Sequence, residues 1–219
     1  MVNVAVLGSI GVGKSTLIRR LKKYLEETRD GIRIEFVPEP SISLPNLSKV
    51  LEDFYKDTKS WAYPLQLGVS AAHEIHFQEM RKKEYDVLLF DAPYSSFVYC
   101  NIHAKNGRLT EAERKAIDDV SRPFPFNLVI MVQEDMNVTI NRIIKRNNSI
   151  NNDENLPDSD ISDFSYLEEH ITDFRSFQDE YIKKYFPNAK VIILEHLPDD
   201  TSEEYVQLLE RLVLEMKEG

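Results

Sequence analysis

Residues 8–16 read Gly-Ser-Ile-Gly-Val-Gly-Lys-Ser-Thr, a complete G-x-x-x-x-G-K-[ST] phosphate loop. The run before it, Val2 to Leu7, has the pattern of a buried strand. The stretch after it, Lys14 to Thr28, repeats apolar residues at helical spacing through Leu17, Ile18, Leu21 and Leu25. Strand, glycine turn and helix in that order admit few folds, because the loop's N–H groups must point at an anion from the positive end of the following helix. Gly8, Ser9, Ile10 and Gly11 with Val12, Gly13 and Thr16 are therefore expected to cradle the phosphates of a nucleoside triphosphate. In that arrangement Lys14 neutralises β- and γ-phosphate charge and the Ser15 hydroxyl holds Mg²⁺.

Further short apolar runs stand at Ile34 to Val37, Val87 to Phe90, Leu128 to Val132 and Val191 to Leu194, each separated from the next by a longer stretch of helical character. Such alternation specifies parallel strands joined by helical crossovers, and consecutive apolar residues within a run suit a sheet covered on both faces. The expected fold is α/β, a doubly wound five-stranded parallel sheet flanked by helices. With no internal repeat and no linker composition, residues 1–219 read as a single domain. Two helices, about Leu47 to Phe54 and Ser60 to Lys83, form a long excursion at about residues 46–83, where an acceptor site is expected. The Asn-, Asp- and Ser-rich stretch 147–163 lacks apolar periodicity and reads as a mobile loop in the position of a lid.

The formal net charge of −10 argues against a nucleic-acid partner, since binding a phosphate backbone needs a basic face. The single cysteine, Cys100, allows no intramolecular disulfide and suits a reducing compartment. No apolar run approaches the roughly 18 residues needed to span a bilayer, so a cytoplasmic protein without a membrane partner is expected.

Ligands of open parallel sheets bind beyond the carboxyl ends of the strands. Pro38-Glu39-Pro40 follows the second strand and Asp91-Ala92-Pro93 follows the third, so two carboxylates converge on the loop. Glu39, its backbone limited by two prolines, is the candidate base for an attacking hydroxyl, and Asp91 the candidate orienter of Mg²⁺. Either could instead cap a helix or meet water. Arg142 and Arg146 stand four residues apart on one helix face, where they would clamp the transferring phosphoryl group or complement the helix dipole.

The acceptor region supplies Trp61, Tyr63, Gln66, His73, Phe77, Tyr94 and Tyr99, and it contains no Lys or Arg from Ser60 through Met80 or from Asp91 through Ala104. An acceptor phosphate demands arginines, whereas an uncharged nucleoside demands stacking surfaces and amides. The Gln66 amide can pair with a base edge while a ring such as Phe77 stacks on its face. Trp61, Tyr63 and Phe77 also fit a plain core reading. His73 and His76 lack a third partner for metal binding.

The phosphate loop, Val37-Pro38-Glu39-Pro40, the Tyr55, Trp61, Gln66 spacing and the arginine helix before an acidic loop resemble the deoxyribonucleoside kinase family. The resemblance implies phosphate-loop kinase architecture with a lid and ATP-dependent, Mg²⁺-assisted phosphorylation of a deoxynucleoside at its 5'-hydroxyl. It also implies that Glu39 is the base, that Tyr55 holds the 3'-hydroxyl, that Gln66 pairs with the nucleobase, and that the protein forms a homodimer. Ala92 stands where the family has an arginine, and His73 where the acceptor helix has another. The competing readings are a thymidylate-type nucleoside monophosphate kinase and a catalytically weak nucleotide-binding module.

Overall fold

The structure, a computed structural model, describes residues 1–29, 31–150, 164–199 and 201–218, without the side chains of 42–43, 146–150, 164–167, 169 and 217–218. The five apolar runs form β1 (Val2–Leu7), β2 (Ile34–Val37), β3 (Val87–Asp91), β4 (Leu128–Val132) and β5 (Lys190–Leu194). They pair in the order β2-β3-β1-β4-β5, every pair parallel.

Alternate residues along the central strands β1, β3 and β4 serve opposite faces of a sheet covered on both sides there. The edge strand β5 is largely exposed up to Leu194, so the expected two-sided cover does not reach that edge. Val4, Val6, Val87, Leu89, Leu128 and Ile130 join an aliphatic layer with Leu17, Leu21 and Leu25 of α1 (Lys14–Thr28) and Leu209 and Leu212 of α9 (Glu203–Glu218). Ala5, Leu7, Leu88, Phe90, Val129 and Met131 face a largely aromatic layer. That second layer is built from α4 (Thr58–Met80), α5 (Ser95–Lys105) and α8 (Phe164–Tyr185).

Three shorter helices complete the acceptor side: α2 (Pro40–Ser43), α3 (Pro45–Lys56) and α6 (Glu111–Val120). Local chemistry sets their starts. Pro45 opens α3 in the position where its missing N–H costs nothing, and Thr110 with Glu113 forms a capping box before α6. The helix α7 (Met136–Ile150) follows β4 and begins on Asp135, whose Oδ1 accepts from the Asn137 and Val138 N–H groups.

The predicted strands and α1 agree with the observed ones to within a residue, while α2, α5 and α6 were not anticipated. The loop expected over 147–163 needs correction at its start, because residues 147–150 continue α7. An Asn- and Ser-rich composition reduces helix propensity by only tenths of a kcal/mol per residue, too little to end a helix already nucleated. Residues 151–163 of that expected lid lie outside the described residues.

Candidate active site

Strand register gathers the site. Val6 pairs with Asp91 and Val37 with Phe90, so the loop after β1, the end of β3 and the Pro38-Glu39 step after β2 share one carboxyl edge. Gly8 adopts φ +145, and a Cβ there would fall 2.4 Å from the Val132 carbonyl oxygen, so only glycine fits between β1 and β4. At Gly11 a Cβ would lie 2.7 Å from Ile143 Cγ1, which shows how closely α7 lies against the loop. Lys14 Nζ donates to the Ser9 carbonyl at 3.0 Å, closing the loop over its own backbone.

The Ser15 hydroxyl donates to Asp91 Oδ2 at 3.0 Å, while Asp91 Oδ1 is buried and without a hydrogen-bond partner. Burial pushes the Asp91 carboxyl above the usual range, opposed by the charge of Lys14 and the Ser15 hydrogen bond. A hard cation suits this pair. The hydroxyl and carboxylate are oxygen donors, and the orphaned Oδ1 is a buried acceptor whose desolvation a cation or its water would offset.

A cleft of about 430 Å³ opens in front of the loop. Gly11, Gly13, Lys14, Ser15, Thr16 and Arg142 form one side of it. Leu51, Phe54, Tyr55, Gln66, Tyr99 and His103 are among the residues contributed by α3, α4 and α5 to the other, with His170 from α8. Glu39 also lines it. Among the described lining residues the cations are Lys14, Arg19 and Arg142, all from α1 and α7.

The cleft thus brings together Glu39, Lys14, Ser15, Arg142, Tyr55 and Gln66, and Asp91 stands behind Ser15. Five expected acceptor residues do not line it. Phe77 is wholly buried among Phe90, Tyr94 and Phe124, with ring centroids 4.8–4.9 Å away. Tyr94 stacks on Tyr185 at 4.3 Å and donates to the Arg122 carbonyl at 2.7 Å, which holds its backbone at φ +61. His73 packs against Phe77 and Phe90 with neither ring nitrogen hydrogen-bonded, and burial drives its pKa down to about 3. Trp61 and Tyr63 are half-buried against the α3, α4 and α6 cluster. The side chain of Arg146 lies outside the described residues.

The sequence reading also missed residues. These are Ser95, which opens α5, and His103, eight residues on; both line the cleft on the same helix face as Tyr99, which was expected in the acceptor region and does line it. Ser95 Oγ and His103 Nδ1 are buried without hydrogen-bond partners. Burial, then the neighbouring His170 and Arg108, lower the His103 pKa to about 3, so the ring is neutral at physiological pH. The i, i+4, i+8 spacing was visible, but α5 itself had not been recognised. Glu134 stands two residues after β4, where the strand-end rule that found Glu39 would also have found it.

A family model described as deoxynucleoside kinase matches residues 4–213. Among solved structures, deoxyadenosine kinase from M. mycoides with bound dATP is similar, with a TM-score of 0.72 and 17% identity over 98% of this chain and 100% of that one. Its form with products dCMP and dCDP gives a TM-score of 0.71 and 16% identity over 99% and 100% of the two chains. At these identities the likeness is one of fold. No curated protein sequence matches the chain.

Proposed function

The chain belongs to the deoxynucleoside kinase family and phosphorylates a deoxynucleoside, and we propose that the donor is ATP, the acceptor atom the sugar 5'-hydroxyl and the proton acceptor Glu39. The 5'-oxygen attacks the γ-phosphorus, the bond from that phosphorus to the β–γ bridging oxygen breaks, and the hydroxyl proton passes to the Glu39 carboxylate. ADP and a deoxynucleoside 5'-monophosphate leave. Lys14 and Arg142 carry the phosphate charge, Tyr55 holds the sugar and Gln66 pairs with the base.

Ser15 and Asp91 are the residues that would hold Mg²⁺, which supplies charge neutralisation at the phosphates. The reading includes a homodimer, carried from the family resemblance and testable by sedimentation, and a cytoplasmic location, suggested by the single cysteine and testable by cell fractionation. It treats residues 1–219 as one domain.

The observation that carries this reading is the distribution of charge in the cleft. Among the described residues its lining cations belong to α1 and α7, while Gln66, Ser95, Tyr99 and His103 are neutral. An acceptor phosphate placed among them would lack a guanidinium to meet it, whereas an uncharged nucleoside would not need one. ADP release from ATP and Mg²⁺ with each of four deoxynucleosides and, separately, their monophosphates tests it, with Lys14→Ala as the blank. Turnover on nucleosides is expected. Turnover on monophosphates alone would move the protein to the thymidylate-kinase type, and binding of ATP without acceptor-dependent release would make it a nucleotide-binding module.

A further inference from the structure

The guanidinium of Arg142 is held in place by a carboxylate that no part of the reaction uses. Val132 pairs with Leu194 in the β4–β5 register, and two residues further along each chain stand Glu134 and His196. Glu134 is 3% exposed. Its Oε1 accepts from the Asp135 N–H at 3.1 Å and lies 3.0 Å from His196 Nδ1. Burial raises the Glu134 pKa, but these hydrogen bonds and the charge of Arg142 outweigh it, so the carboxyl stays ionised and His196 Nδ1 must be the donor. The Glu134 carbonyl accepts from Arg175 of α8. Side chain and backbone are therefore both fixed before any ligand arrives.

Glu134 Oε2 faces Arg142 Nη2 at 3.1 Å as an ion pair without hydrogen-bond alignment. Arg142 Nη1 donates to the Val12 carbonyl of the phosphate loop at 3.2 Å. One guanidinium thus bridges the end of β4 to the loop, and α7 can lie close enough because Gly11 offers no Cβ to Ile143 and Thr139. A guanidinium has five N–H donors. The contacts to Val12 and Glu134 engage two of its nitrogens and leave N–H groups for an anion in the cleft. The pairing also compensates the Glu134 carboxylate, which is the buried partner of the two.

We propose that Glu134 is a positioning residue, holding Arg142 against the phosphate loop so that its remaining N–H groups meet the transferring phosphoryl group without rearrangement. The inference rests on the phosphate-clamp reading of Arg142. It gives a place in the reaction to a residue that touches neither substrate.

The test is a double-mutant cycle in the full chain, with kcat and KM measured for ATP and for the nucleoside in wild type, Glu134→Gln, Arg142→Ala and the double variant. Arg142→Ala should lower kcat on the order of 10²-fold, as loss of a charge-stabilising donor does. Glu134→Gln should lower it about 10-fold, the scale of a lost charge-assisted contact, with the nucleoside KM unchanged. In the Arg142→Ala background the second substitution should have no further effect, and Glu134→Asp should recover part of the loss. A plain structural role would lower activity equally in both backgrounds.

Additive losses, with Arg142→Ala alone damaging, overturn the positioning role and leave the clamp standing. A silent Arg142→Ala overturns both. Should Glu134→Gln not fold, His196→Ala provides the same test from outside the core, since that side chain is 65% exposed. It should cost about 2- to 5-fold in kcat, only where Arg142 is present, and a loss that persists in the Arg142→Ala background would overturn the proposal.

Discussion

The two sides of the cleft are made of different material. The phosphate-loop side is largely backbone: glycines with positive φ, N–H groups at the start of α1, and a lysine and an arginine that donate to loop carbonyls. The opposite side is side chain: Phe54 and Tyr55 from α3, Gln66 from α4, Ser95, Tyr99 and His103 from α5, and His170 from α8. Backbone cannot distinguish one triphosphate-bearing substrate from another by sequence, whereas side chains can be exchanged one at a time. The first side should therefore set whether phosphoryl transfer occurs, and the second which nucleoside receives it.

Substitutions on the two sides should differ in kind as well as in size. Glu39→Gln, which removes the proton acceptor and keeps its volume, should lower kcat by 10²- to 10⁴-fold with little change in nucleoside KM. Steady-state kinetics with wild-type turnover would remove Glu39 from that role. Lys14→Ala should lower kcat/KM by on the order of 10²- to 10³-fold, by the same factor for every nucleoside accepted. A factor that varied with the base would blur the division between the two sides.

Gln66→Ala should instead cost about 10- to 100-fold, and unequally, with the largest loss on the nucleoside whose base pairs with the amide. Equal losses on all four deoxynucleosides would make Gln66 a structural residue.

The smallest effect separates the acceptor wall from the core behind it. His73 and His103 each titrate near pH 3 when folded, against 6.5 for an exposed histidine, because burial disfavours the charged ring. A depressed pKa means that the unfolded chain binds more protons between those values. Their stabilising contribution is thus full above about pH 6.5 and is lost as pH falls towards 3. Urea midpoints at pH 7 and pH 5 should differ accordingly. His73→Phe should remove one histidine's share and leave the order of nucleoside preference unchanged. A change in that order would return His73 to the site.

The fate of the expected acceptor residues follows from the length of one helix. Gln66, His73 and Phe77 are spaced by seven and eleven residues, close to whole helical turns, so they do share a face of α4. A rise of 1.5 Å per residue carries His73 and Phe77 about 10 and 16 Å further along than Gln66. Periodicity specified the face but not the depth. At that depth the helix has passed beyond the cleft and packs on Phe90 and Phe124. Glu134 shows the converse, a local signal present in the sequence whose partners, His196 and Arg175, are 62 and 41 residues away.

By itself the sequence determined what depends on neighbours along the chain. The loop, the strand before it and the helix after it are one contiguous segment, and the apolar runs fix five parallel strands, with Asp91 ending the third and Glu39 just beyond the second. Only the tertiary structure decided which helix faces reach the cleft and which reach the core, and which buried polar groups meet. Those outcomes depend on strand order, register and packing between segments far apart in sequence, where no local spacing records the distance.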